Sequence, residues 1–309
     1  MVSNNLPLIS VIIPLYNTQD YIEKCVCSVL NQTYPNVEVI VINDGSTDNS
    51  LSIVNQLAVM DKRVKVYSQQ NKGVSAARNL GLDKVNGKYI SFLDSDDYFV
   101  DDYLHVLFNL LVSNNCDIAC CEVNENGNSP IIQKEQRVFN SHELMGIYLK
   151  DNKFYNEVLY VKLYKKELFD GLRFWEGKIH EDTYLCFQLL EKASRVAYVN
   201  YAGYIRMERS DSITNVKYTN RNYDVVDANA YIYNHFKGSE YDVLAFNKYL
   251  GTLLYFLIKT NGDKTITKND DGYTALKQLL REYRIIDIKP RLIPFVIAYK
   301  IGLLKFIKI

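Results

Sequence analysis

The sequence predicts an α/β fold with a mostly parallel central sheet flanked by helices, followed by a C-terminal helical region. Three observations predict it. Short apolar runs alternate with stretches of helical spacing over residues 8–122, the pattern of strands joined by crossover helices. The runs at 37–42 and 89–93 are apolar at nearly every position, as strands buried on both faces are. Each run ends in a carboxylate cluster, Asn43-Asp44-Gly45-Ser46-Thr47-Asp48 and Asp94-Ser95-Asp96-Asp97. Open α/β sheets bind ligands beyond the carboxyl ends of their strands.

Residues 8–14 read as the first strand. Residues 21–30 have helical spacing, with Ile22, Val26, Val29 and Leu30 on one side. After the strand at 37–42, Asp48 is placed to cap a helix running through 58 by accepting a backbone N–H. A short strand at 64–67 precedes a helix at 73–85, in which Ala76 and Ala77 permit close packing. The strand at 89–93, a helix at 101–112 and a strand at 117–121 follow. Residues 124–136 are polar and turn-rich and read as a loop or an excursion. A helix at 183–191 and strands near 195–200 and 204–207 end the alternation. Beyond about residue 215 the pattern changes to helices at 220–236, 241–259, 273–283 and 291–307. The chain is therefore divided into an α/β domain, 1–215, and a helical region, 216–309.

The 309 residues are 48 % hydrophobic, and 36 basic side chains balance 36 acidic ones. That balance argues against a nucleic-acid binder. The six cysteines lack paired Cys-x-x-Cys spacing and read as free thiols in a reducing compartment. No basic stretch followed by a long apolar core opens the chain, and no run approaches the ~18 apolar residues of a membrane span. The expectation is a cytoplasmic protein, at most attached to the inner face of the membrane.

Carboxylates aimed at one crevice repel unless a cation or ligand donors sit between them. The clusters therefore suggest Mg2+ or Mn2+ with a phosphate-bearing substrate. Four segments carry a closer resemblance: Ile9-Ser10-Val11-Ile12-Ile13-Pro14-Leu15-Tyr16-Asn17, Asn43 to Asp48, Gly73-Val74-Ser75-Ala76-Ala77-Arg78-Asn79, and Phe92-Leu93-Asp94-Ser95-Asp96-Asp97. With His180-Glu181-Asp182-Thr183-Tyr184-Leu185 they resemble, in order, the inverting family 2 glycosyltransferases of the GT-A fold, of the bacterial surface-polysaccharide type. The resemblance covers roughly residues 8–210.

It implies a hexosyl or N-acetylhexosaminyl transferase that moves a sugar from a UDP-sugar to a hydroxyl of a glycan, lipid-linked or protein-linked acceptor. It places Pro14, Tyr16, Asp44, Arg78, Asp94, Ser95 and Asp96 at the nucleotide. Tyr16 would stack on uracil; the competing reading is a core tyrosine, one of 25. Asp44 suits the uracil N3–H, because a carboxylate only accepts, or is a plain turn aspartate. Arg78 would contact the nucleotide or its phosphates, or make a surface salt bridge. By resemblance Asp96 binds Mn2+ or Mg2+, and Asp94 reaches the ribose or the ion's waters. The competing reading is a polar helix start, and Asp97 caps or orients. Asp182 is the implied general base. Glu181 beside it raises its pKa or caps the helix. His180 reaches phosphate or metal, or is a loop histidine. Trp175 is a sugar platform or a core anchor. Arg206, Arg209 and Ser212 resemble a loop that closes over the diphosphate.

Residues 281–309 hold seven basic and two acidic side chains, a net +5, interleaved with apolar ones. This tail reads as a basic amphipathic helix on an anionic membrane surface, or as a helix packed on the domain or in a homodimer. Three other functions compete with the glycosyltransferase reading. A catalytically silent subunit of a glycan-assembly complex stays open. An aspartate-based phosphatase is disfavoured, since Asp97 and Tyr98 follow the Asp-x-Asp where Thr or Val is wanted. A nicotinamide dehydrogenase is disfavoured, since no Gly-x-Gly-x-x-Gly follows the first strand.

Overall fold

The computed structural model of the chain describes residues 6–128, 135–150, 155, 158–208, 218–261, 263, 265–304 and 307. In chain order its first elements are β1 (Ile9–Leu15), α1 (Ile22–Leu30), β2 (Val37–Asp44), α2 (Ser50–Met60), β3 (Val64–Gln69), α3 (Val74–Lys84) and β4 (Tyr89–Phe92). Then come β5 (Tyr98–Phe99), α4 (Tyr103–Ser113), β6 (Ile118–Cys120), β7 (Val123–Glu125), β8 (Gln136–Asn140), α5 (Ser141–Lys150) and β9 (Lys162–Lys165). The last are α6 (Glu181–Lys192), β10 (Arg195–Val199), β11 (Tyr204–Arg206), α7 (Asp224–Phe236), α8 (Asp242–Lys259), α9 (Lys268–Glu282) and α10 (Ile293–Lys300).

Eight strands form the central sheet in the order β3-β2-β1-β4-β9-β6-β10-β8, and β5, β11 and β7 form a second, three-stranded sheet. β3, β2, β1 and β4 are parallel, and β6 is parallel to β10. β9 is antiparallel between β4 and β6, and β8 is antiparallel at the edge. The chain leaves β1 toward β2 on one side and returns to β4 on the other. This is the topological switch point at which open α/β sheets form a ligand crevice.

Period-two alternation divides the sheet's side chains between two apolar clusters. Val11, Ile13 and Leu15 of β1 face α1, α2 and α4, while Ile12 faces α3, α5 and α6. Helices α7 to α9 and Val296 of α10 join the second cluster, so they extend the core on that face. A buried polar network pins β2: the Ser10 hydroxyl, Lys65 Nζ and the Asn86 N–H all donate to Glu38. None of the six cysteines is in a disulfide.

Two sequence expectations change. The turn-rich stretch at 124–136 contains the end of β7 and the start of β8, and β5, α5 and β9 are additional elements. The last helix does not run to 307: it ends at Lys300. Gly302 takes φ +75°, Gly302 N–H donates to Tyr299 O at 3.0 Å, and Leu303 N–H donates to Ala298 O at 2.7 Å. These bonds make a Schellman stop, which needs the left-handed residue that glycine supplies.

Candidate active site

Strand register sets the site. Leu15 pairs with Asn43 and Ile12 with Phe92, so Tyr16, Asp44 and Asp94 leave the sheet along one edge, with β1 between its two neighbours. Pro14 is a buried residue inside β1. Tyr16 is 48 % exposed just beyond that strand and is not a core side chain. The turn after it is laced to the turn after β2: Thr47 N–H donates to Asn17 Oδ1 at 2.8 Å, and Thr18 N–H to Ser50 Oγ at 2.9 Å. Asp48 receives the N–H of Ser50, the first residue of α2, at 2.9 Å and that of Gln19 at 3.1 Å. It therefore serves both as a helix-start acceptor and as a tie between the turns.

Asp44 is buried. It accepts from Gln69 Nε2, Lys72 N–H and Gly73 N–H, each at 2.8 Å. The carboxylate thereby folds the loop that launches α3, and Gly73 at φ +90° gives that loop its turn. Arg78, one turn into α3, is buried and bridges two distant carboxylates: Asp94 Oδ1 at 2.9 Å and Glu181 Oε1. Burial opposes its charge, but Asp94, Glu181 and Asp182 outweigh that and hold the guanidinium pKa above its ordinary value. The surface-salt-bridge reading is excluded by this burial.

Past β4, Asp94 and Asp96 are half-buried while Ser95 and Asp97 are buried. Asp97 accepts from the Tyr204 hydroxyl at 2.7 Å and from Met207 N–H at 2.9 Å. Burial first, and then Asp94 and Asp96, push its carboxyl up to about 8 against those bonds. The same Tyr204 hydroxyl accepts from Asp94 N–H at 3.3 Å. Tyr204 thus clamps the turn, and Tyr160 stacks on its ring at 4.7 Å. Arg206, two residues on, donates to Glu125 at 2.9 Å; Arg209 and Ser212 lie outside the described residues.

Glu181 and Asp182 open α6. Glu181 is buried against Arg78, whereas Asp182 is half-buried and accepts from Thr183 N–H at 2.9 Å. His180 is exposed in a left-handed conformation just before the helix. The loop leading to it is held at both ends. Asn79 of α3 exchanges two hydrogen bonds with the Phe174 backbone at 2.9 and 3.0 Å. Asp224 of α7 receives Lys178 Nζ at 2.7 Å and Ile179 N–H at 3.0 Å. Trp175 on this loop is 41 % exposed, stacks on Tyr184 at 3.9 Å, and meets Tyr231 edge-on at 5.2 Å.

Tyr204, Asn79 and Asp224 escape a reading of the sequence. Tyr204 stands in a predicted strand, but nothing local signals that its hydroxyl spans to residues 94 and 97. Asp94 and Asp96 offer hard oxygen donors, and no group of three His, Cys, Asp or Glu forms a ready-made cage among the described residues. This donor set fits Mg2+ or Mn2+, which take one or two carboxylates and complete their shells with water and phosphate oxygens.

The model of glycosyl transferase family 2 matches residues 10–173. The chain belongs to glycosyl transferase family 2. The matched stretch includes Tyr16, Asp44, Arg78 and Asp94 to Asp96, and ends before Glu181. Glycosyltransferase GlyA of Streptococcus pneumoniae serotype 4 is 37 % identical over 225 residues, 67 % of this chain and 32 % of GlyA. The chain thus spans about a third of that relative's length. Among solved structures, S. aureus TarS 1-349 in complex with UDP-GlcNAc superposes with a TM-score of 0.73 at 19 % identity, covering 96 % of this chain and 88 % of that one. A mannosyltransferase from Pyrobaculum calidifontis in complex with GDP-Man and Mn2+ gives 0.56 at 16 % identity, covering 90 % and 86 %. The structural likenesses show the fold, GT-A, and the matched family model shows the family.

Proposed function

We propose that this glycosyltransferase moves a sugar from a UDP-sugar to a hydroxyl of a glycan, lipid-linked or protein-linked acceptor, with inversion and with Mg2+ or Mn2+. The observation that carries the reading is the Arg78 bridge. It ties the carboxylate after β4 to the start of α6, so that Asp94, Glu181 and Asp182 all act on one guanidinium. The UDP-GlcNAc of the TarS complex and the Mn2+ of the mannosyltransferase complex support the choice of donor and ion.

Tyr16 presents an exposed ring to the base. Asp44 has roughly four acceptor sites, of which its three loop bonds leave one for a base N–H. Asp96 and Asp94 would hold the ion, which would supply positive charge to the leaving diphosphate. Asp182 takes the proton from the acceptor hydroxyl as its oxygen bonds to the anomeric carbon and the bond to the diphosphate breaks. Glu181, locked by Arg78, acts as a positioning residue that fixes the start of α6. Trp175 offers a free flank against which a sugar's apolar face can pack.

General-base removal lowers rates by about 10²–10⁴-fold. Asp182→Asn should lose transfer on that scale while UDP still raises the melting temperature, as ligand linkage requires. Asp96→Ala should lose the additional rise that Mn2+ gives with UDP. Wild-type transfer by Asp182→Asn would sink the base assignment. An Mn2+ effect undiminished in Asp96→Ala would sink the ion assignment.

A further inference from the structure

We propose that the outer face of α10 and the turn after it dock on an anionic lipid surface. The helix is apolar along nearly its whole length, yet Val296 is its one buried residue. Pro294, Ile297 and Ile301 are exposed at spacings of three and four, with Lys300 beside them; such spacing defines one helix face. Ile297 is 46 %, Ile301 62 % and Leu303 48 % exposed. Ile285 and Ile286, on the turn between α9 and α10, are 52 % and 73 % exposed. Single exposed apolar side chains are ordinary; five within residues 285–303 are a concentration that asks for an apolar partner.

Charge selects the partner. Arg281, Arg291 and Lys300 are exposed along the same stretch. Its two acidic residues are already engaged: Glu282 by Lys237 and Tyr233, and Asp287 by Arg284. A two-fold dimer through this face would bring the basic rim against its own copy, and like charges at an interface repel. An anionic bilayer meets both demands, with isoleucines in the acyl boundary and basic groups among the headgroups. No helix among the described residues is long and apolar enough to cross a membrane, so the contact lies in the surface plane. The proposal stands independently of the donor, the ion and the base.

The test is flotation of the full chain with two kinds of vesicle. One is pure phosphatidylcholine; the other carries about a quarter phosphatidylglycerol, the kind of anionic surface that attracts basic segments. Binding is expected to the second kind only, weakening as salt screens it. Arg291→Gln with Lys300→Gln should weaken partition by roughly 30-fold. Ile297→Asp with Ile301→Asp should abolish it, with circular dichroism melts confirming that both double variants remain folded. Absent flotation with anionic vesicles, or flotation unchanged in both double variants, overturns the proposal. So does a reversible dimer in sedimentation that Ile297→Asp with Ile301→Asp dissociates, because the face then belongs to a second copy.

Discussion

Arg78 gives up its hydration on burial, and three carboxylates more than compensate. Removing Arg78 leaves Glu181 charged and buried beside the half-buried Asp94, and breaking a fully buried pair costs about 3–5 kcal/mol, an upper bound here. Arg78→Ala should lose stability on that scale in urea unfolding. Arg78→Met combined with Glu181→Met should recover part of the loss, since fewer uncompensated charges remain. Arg78→Lys keeps the charge but lacks the fork that reaches two carboxylates at once, so it should fall between. Glu38 shows the same competition at a structural site. Burial disfavours its charge, but Lys65, Ser10 and Asn86 prevail and hold its pKa below the ordinary carboxylate value. A depressed folded-state pKa contributes stability above the unfolded-state value, about 4.3, and that stability disappears as pH falls through the folded-state value. Glu38→Gln should therefore melt below wild type at neutral pH. The gap should close with acidification, as calorimetry across a pH series would reveal.

The element that organises the site is α3. Asp44 holds its launching loop, Arg78 projects from its first turns, and Asn79 clasps the loop bearing Trp175. The helix lies so close to β1 that a Cβ at Gly81 would come within 2.5 Å of Ile12 Cγ2. Two effects compete in Gly81→Ala. Helix propensity gains about 1 kcal/mol, and overpacking a filled core costs about 1–3 kcal/mol. The overlap prevails, so a lower melting temperature is expected, with reduced transfer because α3 carries Arg78 away from its partners. The helices and strands of residues 8–122 were legible because buried strands and amphipathic helices imprint their periods on the sequence. β5, β7 and β9 are two to four residues long and carry no period to read. The true end of α10 was written in Gly302, whose signal was masked by the apolar residues around it.

At the scale of the whole molecule, one apolar cluster joins Ile12 and Phe92 of the sheet to Leu185 of α6, Leu250 of α8 and Val296 of α10. Shared burial couples the C-terminal helices to the sheet. Urea unfolding should give coincident transitions by Trp175 fluorescence and by far-ultraviolet circular dichroism, the mark of a single cooperative step. Separate transitions would show that the helices after residue 218 fold as their own unit. Trp175 is the chain's one tryptophan, and its contacts with Tyr184 and Tyr231 make it report on α6 and α7 together.

The sequence by itself determined the strand–helix alternation, the parallel half of the sheet and the placing of Asp44, Asp94 and Asp96 at strand ends. These follow from local periodicity and from the rule that a parallel strand delivers its last residues to one edge. Only the tertiary structure decided that Arg78 would couple Asp94 to Glu181, that Tyr204 would brace residues 94 and 97, and that Glu181 would turn inward while Asp182 stayed half in solvent. Those pairings join residues 16 to 110 positions apart. A side chain's partner at such range is set by how the packed elements cross, which no local pattern in the chain encodes.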